Sequence, residues 1–130
     1  FGDPATNPKG WPVALLPDVL SRPFKNGLYL PKERYAPEGT VQGVEMVHMS
    51  DAFYGEVKRG GLRRVLADDR HISDYKLTRT DLLVARRSLN FDGAAKVCGI
   101  PDNDEPLLFE SSFIRLTPDL GKVRETLNKW

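Results

Sequence analysis

The stretch that most limits what this chain can become is Tyr75 to Lys96, YKLTRTDLLVARRSLNFDGAAK. Its apolar run Asp81-Leu82-Leu83-Val84-Ala85 is short and bounded by polar residues. Too few apolar residues occur there to anchor a helix, so the run predicts a strand covered on both faces. Arg86 and Arg87 follow directly. Ser88-Leu89-Asn90-Phe91-Asp92-Gly93 then has loop chemistry, and Ala94 to Val97 resumes as a second strand. A rigid strand would thus deliver two guanidinium groups and an Asn to the edge of the fold. Arg pairs bidentately with phosphate oxygens or a guanine edge, and Asn does the same with adenine.

A chain of 130 residues with 40% hydrophobic and 28% charged residues fits one domain with one sizeable core. No apolar run has membrane-spanning length and no signal segment opens the sequence, which reads as a cytoplasmic protein. The single Cys98 has no internal disulfide partner, and with only His48 and His71 there is no zinc-ligand spacing. Net charge is only +1, but it is segregated. Residues 58–96 hold ten Lys or Arg against five Asp, leaving a net negative remainder. That segregation around the arginine loop favours contact with an anionic partner over a merely solvated face.

Residues 1–12 are rich in Pro, Gly and Asn and read as an extended lead-in, with Trp11 tucked into the core. Val13-Ala14-Leu15-Leu16 is a strand candidate, followed by one helical turn over Pro17 to Leu20 that Ser21-Arg22-Pro23 ends. Phe24-Lys25-Asn26-Gly27 has turn chemistry and Leu28-Tyr29-Leu30 strand character. Lys32, Arg34 and Tyr35 then sit in a loop, a second candidate contact surface. Tyr29 or Tyr35 can stack on a base or instead cap the core through a hydrogen-bonded hydroxyl.

Thr40 to Met49 reads as a central strand with Gly43 a possible bulge, and its lone His48 is a core histidine rather than a base or ligand. In Leu62-Arg63-Arg64-Val65-Leu66 the adjacent arginines cannot both face solvent from a strand. Asp68-Asp69 would cap a short helix. Leu107-Leu108-Phe109 and Ser112 to Leu116 read as strands. Thr117 as N-cap with Pro118 at the first position would start a helix over 118–130, with Leu120, Val123, Leu127 and Trp130 on one face. The fold class expected is α+β: a twisted, mixed or antiparallel β core with a few short helices, in one compact domain over residues 1–130.

Several of these pieces, in this order, resemble the target recognition domain of the specificity subunit of type I restriction-modification systems. Phe1-Gly2-Asp3-Pro4 with Asn7-Pro8-Lys9-Gly10-Trp11-Pro12 resembles the entry into such a domain. Gly27 to Pro31 with Tyr35, Val44 to Asp51, the strand before Arg86, and Glu110 to Leu116 are similar to its later strands. One departure is Thr80-Asp81, where the family usually has Gly-Asp; a turn needing a positive φ must differ there.

The resemblance implies sequence-specific binding of double-stranded DNA, with Arg86 and Arg87 first, Ser88 and Asn90 reading base edges, Tyr29 stacking, and Lys32, Arg34 and Arg63 on phosphates. It implies as partners the methyltransferase (modification) subunits and the restriction subunit, with no catalytic residue, metal or cofactor in this chain and no membrane. The chain reads as a fragment of a longer specificity subunit. Two other classes compete. A metal-dependent nuclease would use Asp18 with Glu56-Val57-Lys58, a short pattern in which Glu56 follows a Gly turn. A protein-interaction module would use the C-terminal apolar face.

Overall fold

The computed structural model describes residues 2–3, 5–52, 55–87, 95–102 and 104–123. Its strands are β1 (Leu20–Asn26), β2 (Val44–Val47), β3 (Arg64–Val65), β4 (Leu82–Ala85), β5 (Val97–Gly99), β6 (Leu107–Phe109) and β7 (Phe113–Pro118). Helix α1 spans Asp69–Tyr75, and a second helix begins over residues 120–123. Two sheets form. One is antiparallel throughout, in the order β1-β7-β4-β5; the other is mixed, in the order β3-β2-β6, with β2 parallel to β6. The α+β class with a β-rich core is therefore the fold observed.

The main core lies between the sheets. Leu83, Ala85, Cys98 and Phe113 from the first meet Val47, Leu107 and Phe109 from the second. A smaller cluster of Leu28, Leu30, Met46, Val65 and Leu108 covers the other face of the second sheet. The strands buried on both faces are thus β2 and β6, the central and one outer strand of the smaller sheet. In β4 burial alternates: Leu83 and Ala85 point inward, while Leu82 and Val84 stay half-exposed. The expectation of two-sided cover for that strand is corrected, because nothing like the second cluster packs on its outer side among the described residues. Cys98 is a core residue, and burial pushes its thiol up to about 11.

Several local expectations need correction. Residues 13–15 form no strand; Leu16–Val19 is a 3₁₀ turn, and the strand runs over Leu20–Asn26, through the supposed turn residues. Pro23 is tolerated there because β1 is an edge strand with irregular register around that residue. The strand expected over Thr40 to Met49 shortens to Val44–Val47, and Leu28-Tyr29-Leu30 keeps only a single bridge, Leu28 to Glu110. The return strand begins at Val97, with Ala94 outside the described residues. Thr117 and Pro118 belong to β7, and Asp119 supplies the cap: its Oδ1 accepts from the backbone N–H groups of Gly121 and Lys122. Leu127 and Trp130 of the proposed stripe lie outside the described residues. Trp11 is half-buried and joins neither core cluster.

Two glycines are dictated by contact. A Cβ on Gly27 would lie 1.9 Å from the Glu110 carbonyl oxygen, where the chain leaves β1 and crosses to β6. Gly43 has φ of 80°, and a Cβ there would lie 2.4 Å from the Val65 carbonyl oxygen. Thr80 does not take the left-handed conformation. The turn before β4 closes instead through the Asp81 N–H donating to the Thr78 carbonyl at 2.9 Å.

Candidate nucleic-acid interface

Arg86 and Arg87 emerge where β4 ends, and both are exposed. The Arg86 backbone N–H still donates to the Ser112 carbonyl at 2.9 Å, so its Cα is fixed by the sheet. Its Nη1 donates to Asn26 Oδ1 at 3.0 Å, which ties the guanidinium to the end of β1 and leaves its other N–H groups outward. No acid pairs with either arginine among the described residues. Ser88 and Asn90 lie outside the described residues. Asn26, which the sequence offered only as a turn residue, is the positioning partner that sequence reasoning missed.

The second group gathers around Tyr35. Arg63 is exposed, with its guanidinium 4.5 Å from the Tyr35 ring centroid, a cation–π contact that holds it flat against the ring. The Tyr35 hydroxyl meets His48 Nε2 at 3.1 Å, and His48 Nδ1 meets the Met46 carbonyl at 3.0 Å. The carbonyl can only accept, so Nδ1 carries the proton in neutral His48 and Nε2 accepts from Tyr35. Burial, then the Glu110 carboxylate, push the Tyr35 phenol up, keeping it a neutral donor. Tyr29 is 79% exposed and Lys32 is exposed nearby in sequence. Arg34 is engaged in the fold: its Nε donates to the Leu66 carbonyl at 2.9 Å and Nη2 lies 3.9 Å from Asp68. No hydrogen bond, ion pair or ring contact among the described residues joins this group to Arg86 or Arg87.

Compared with protein-family models and with curated proteins, the chain matches none.

Two buried carboxylates hold the segments that carry these arginines. Asp81, fully buried at the foot of β4, accepts from Arg22 Nη2 at 2.8 and 2.9 Å and from the Thr78 N–H and hydroxyl at 2.8 and 3.0 Å. The Thr117 hydroxyl also donates to it while accepting from Arg22 Nε at 2.7 Å. Burial alone would raise the Asp81 pKa, but the Thr117 and Arg22 donors outweigh it and hold the carboxyl below its ordinary value. Glu45, 4% exposed on β2, accepts from Arg59 Nε at 2.6 Å and from the N–H groups of Gly60 and Leu62 at 3.0 and 3.3 Å. Burial likewise opposes its ionisation, and the Arg59 and Leu62 donors prevail. Glu45 thereby shapes the loop that ends at Arg63.

Much of the basic segment is tied down rather than presented. Arg59 is bound to Glu45; Arg64 donates to the Gly43 carbonyl at 2.6 Å; Arg79 pairs with Asp102 at 3.0 Å. The acids of the nuclease pattern sit apart, Asp18 in the 3₁₀ turn before β1 and Glu56 in a bridge to Gly99 of β5. Among the described residues, no group of three His, Cys, Asp or Glu side chains could hold a metal ion. Nor is any helix long and apolar enough to cross a membrane.

Proposed function

We propose that this chain binds double-stranded DNA sequence-specifically, as the target recognition domain of a type I restriction-modification specificity subunit. The observation that carries the reading is the pair Arg86 and Arg87: exposed, without acid partners among the described residues, and launched from a sheet that fixes the Arg86 backbone and side chain. Guanidinium groups held in this way lose little entropy on pairing with a phosphate or guanine edge. Arg63 flat on Tyr35 and the exposed Tyr29 and Lys32 supply further cationic and stacking surface. In this role the chain is a recognition component in the cytoplasm. Methyl transfer and cleavage belong to partner modification and restriction subunits, and no cofactor binds here.

The test is fluorescence anisotropy with a pool of randomised duplexes at low and moderate salt, for the native chain and for the Arg86→Ala, Arg87→Ala double variant. Binding that weakens steeply with salt and is lost in the folded double variant is the expected result. A folded native chain that ignores duplex at low salt would sink the reading. Binding insensitive to salt would favour an interaction module instead, for which the exposed Leu15, Leu16 and Leu120 offer apolar surface.

A further inference from the structure

The inner face of the larger sheet carries more positive charge than its acids balance. Arg22 pairs in register with Thr117 and Lys25 with Arg115. Three steps along β1 therefore match two along β7, an irregularity over Pro23 and Phe24 that puts Arg22 and Lys25 on the same face. Without it, a spacing of three would send them to opposite faces. The side chains agree: Arg22 reaches Thr117 and Asp81, and Lys25 Nζ sits 4.2 Å from the Tyr75 ring centroid at the end of α1.

Arg115 is 4% exposed, yet its guanidinium makes one long hydrogen bond, Nη1 to the Asp74 carbonyl at 3.5 Å. Its Nε is buried without a hydrogen-bond partner among the described residues. Its remaining company is the Phe109 ring at 5.9 Å, and burial with the neighbouring Arg22 charge depresses its pKa. Asp81, the one acid on this face, is already engaged by Arg22, Thr78 and Thr117. Like charges directly opposite on a sheet repel, and a buried guanidinium with unused N–H groups calls for an anion. Arg22, with 39% of its side chain exposed, and the half-buried Lys25 open the cluster to solvent along edge strand β1.

We infer that Arg22, Lys25 and Arg115 form a phosphate-binding site at the edge of β1, beside the C-terminal end of α1. Lys25 leaves the Tyr75 ring to close on the oxyanion, and Arg115 donates its unused N–H groups from behind. Asn26, the next residue, holds Arg86, so a phosphodiester in this site would lie alongside the proposed DNA surface. The phosphate can come from a nucleic-acid backbone or from solution; only the backbone source rests on the DNA reading.

The experiment follows the Arg115 side-chain Nε–H resonance by ¹⁵N NMR in the whole chain, titrated separately with inorganic phosphate and with randomised duplex. A saturable shift with phosphate, weakened about tenfold or more in the folded Lys25→Met variant, is the result expected for loss of a charge-assisted contact. A shift with duplex alone, equally sensitive to Lys25→Met, also supports the site and names the backbone as its source. If neither ligand moves the resonance, the site is overturned, even when anisotropy shows duplex held through Arg86 and Arg87. A phosphate response in a chain that ignores duplex keeps the site and removes the DNA reading. Lys25→Met is the variant of choice because Lys25 is half-buried and bonded to no acid among the described residues, whereas Arg115→Met changes the core itself.

Discussion

Asp81 and Glu45 are both buried acids paired with an arginine, but they join different things. Asp81 links three strands: Arg22 comes from β1, Thr117 from β7, and Asp81 itself opens β4. Glu45 instead ties one strand to a loop, since two of its three donors are backbone N–H groups at Gly60 and Leu62. The first is a fastener for the sheet that launches Arg86 and Arg87. The second is a mould for the loop that ends at Arg63. Loss of the first should therefore be felt as global stability, and loss of the second as local order.

The largest effect expected is from Asp81→Ala, which strands the Arg22 guanidinium and the hydroxyls of Thr78 and Thr117. Removing one partner of a buried pair costs about 3–5 kcal/mol, with the lower end expected because Arg22 keeps some contact with water. Urea unfolding measures it, and a cost under about 1 kcal/mol would refute the fastener role. Glu45→Gln follows. It weakens charged hydrogen bonds worth about 1.5–3 kcal/mol in total stability, with faster amide exchange confined to residues 59–63. Exchange that quickens evenly over both sheets would erase the contrast between the two sites.

Acid sharpens the comparison. Both carboxyls titrate below their ordinary values in the fold, so the stability they add is present above the unfolded carboxylate range and drains away as pH falls through the folded pKa values. The stability gap between the native chain and Asp81→Asn should accordingly hold at neutral pH and shrink below about pH 4. A gap that does not change with pH would mean that shape, not charge, makes the difference. The smallest effect on folding is expected from Arg86→Ala, within about 0.5 kcal/mol for an exposed side chain. On duplex binding the same change should cost about 1–3 kcal/mol and relax specificity at one position if Arg86 reads a base. A uniform loss over all sequences would assign it to a phosphate.

The two adjacent arginine pairs show how far a sequence can be read. For Arg63-Arg64, alternation along a strand already required one in and one out, and Arg64 turns to the Gly43 carbonyl while Arg63 lies on Tyr35. For Arg86-Arg87, the end of the apolar run at Ala85 released both, and both are exposed. Strand β1 was hidden because Pro23, Asn26 and Gly27 are turn residues by composition. At a sheet edge with irregular register, those same residues fit a strand. The short runs Val44–Val47 and Leu107–Phe109 were legible as strands, but not which runs would be covered twice.

The order of apolar runs, the turn residues between them and the placing of Arg86 and Arg87 beyond a strand end followed from local chemistry. Those features depend on neighbours a few residues away, which a sequence displays directly. The pairing of Arg22 with Asp81, the loop held by Glu45 and the meeting of Lys25 with Arg115 were decided only by the tertiary structure. Each joins residues far apart in the chain through strand register. Register is set by how whole sheets pack, and a single irregular step over Pro23 and Phe24 changes which face a charge occupies.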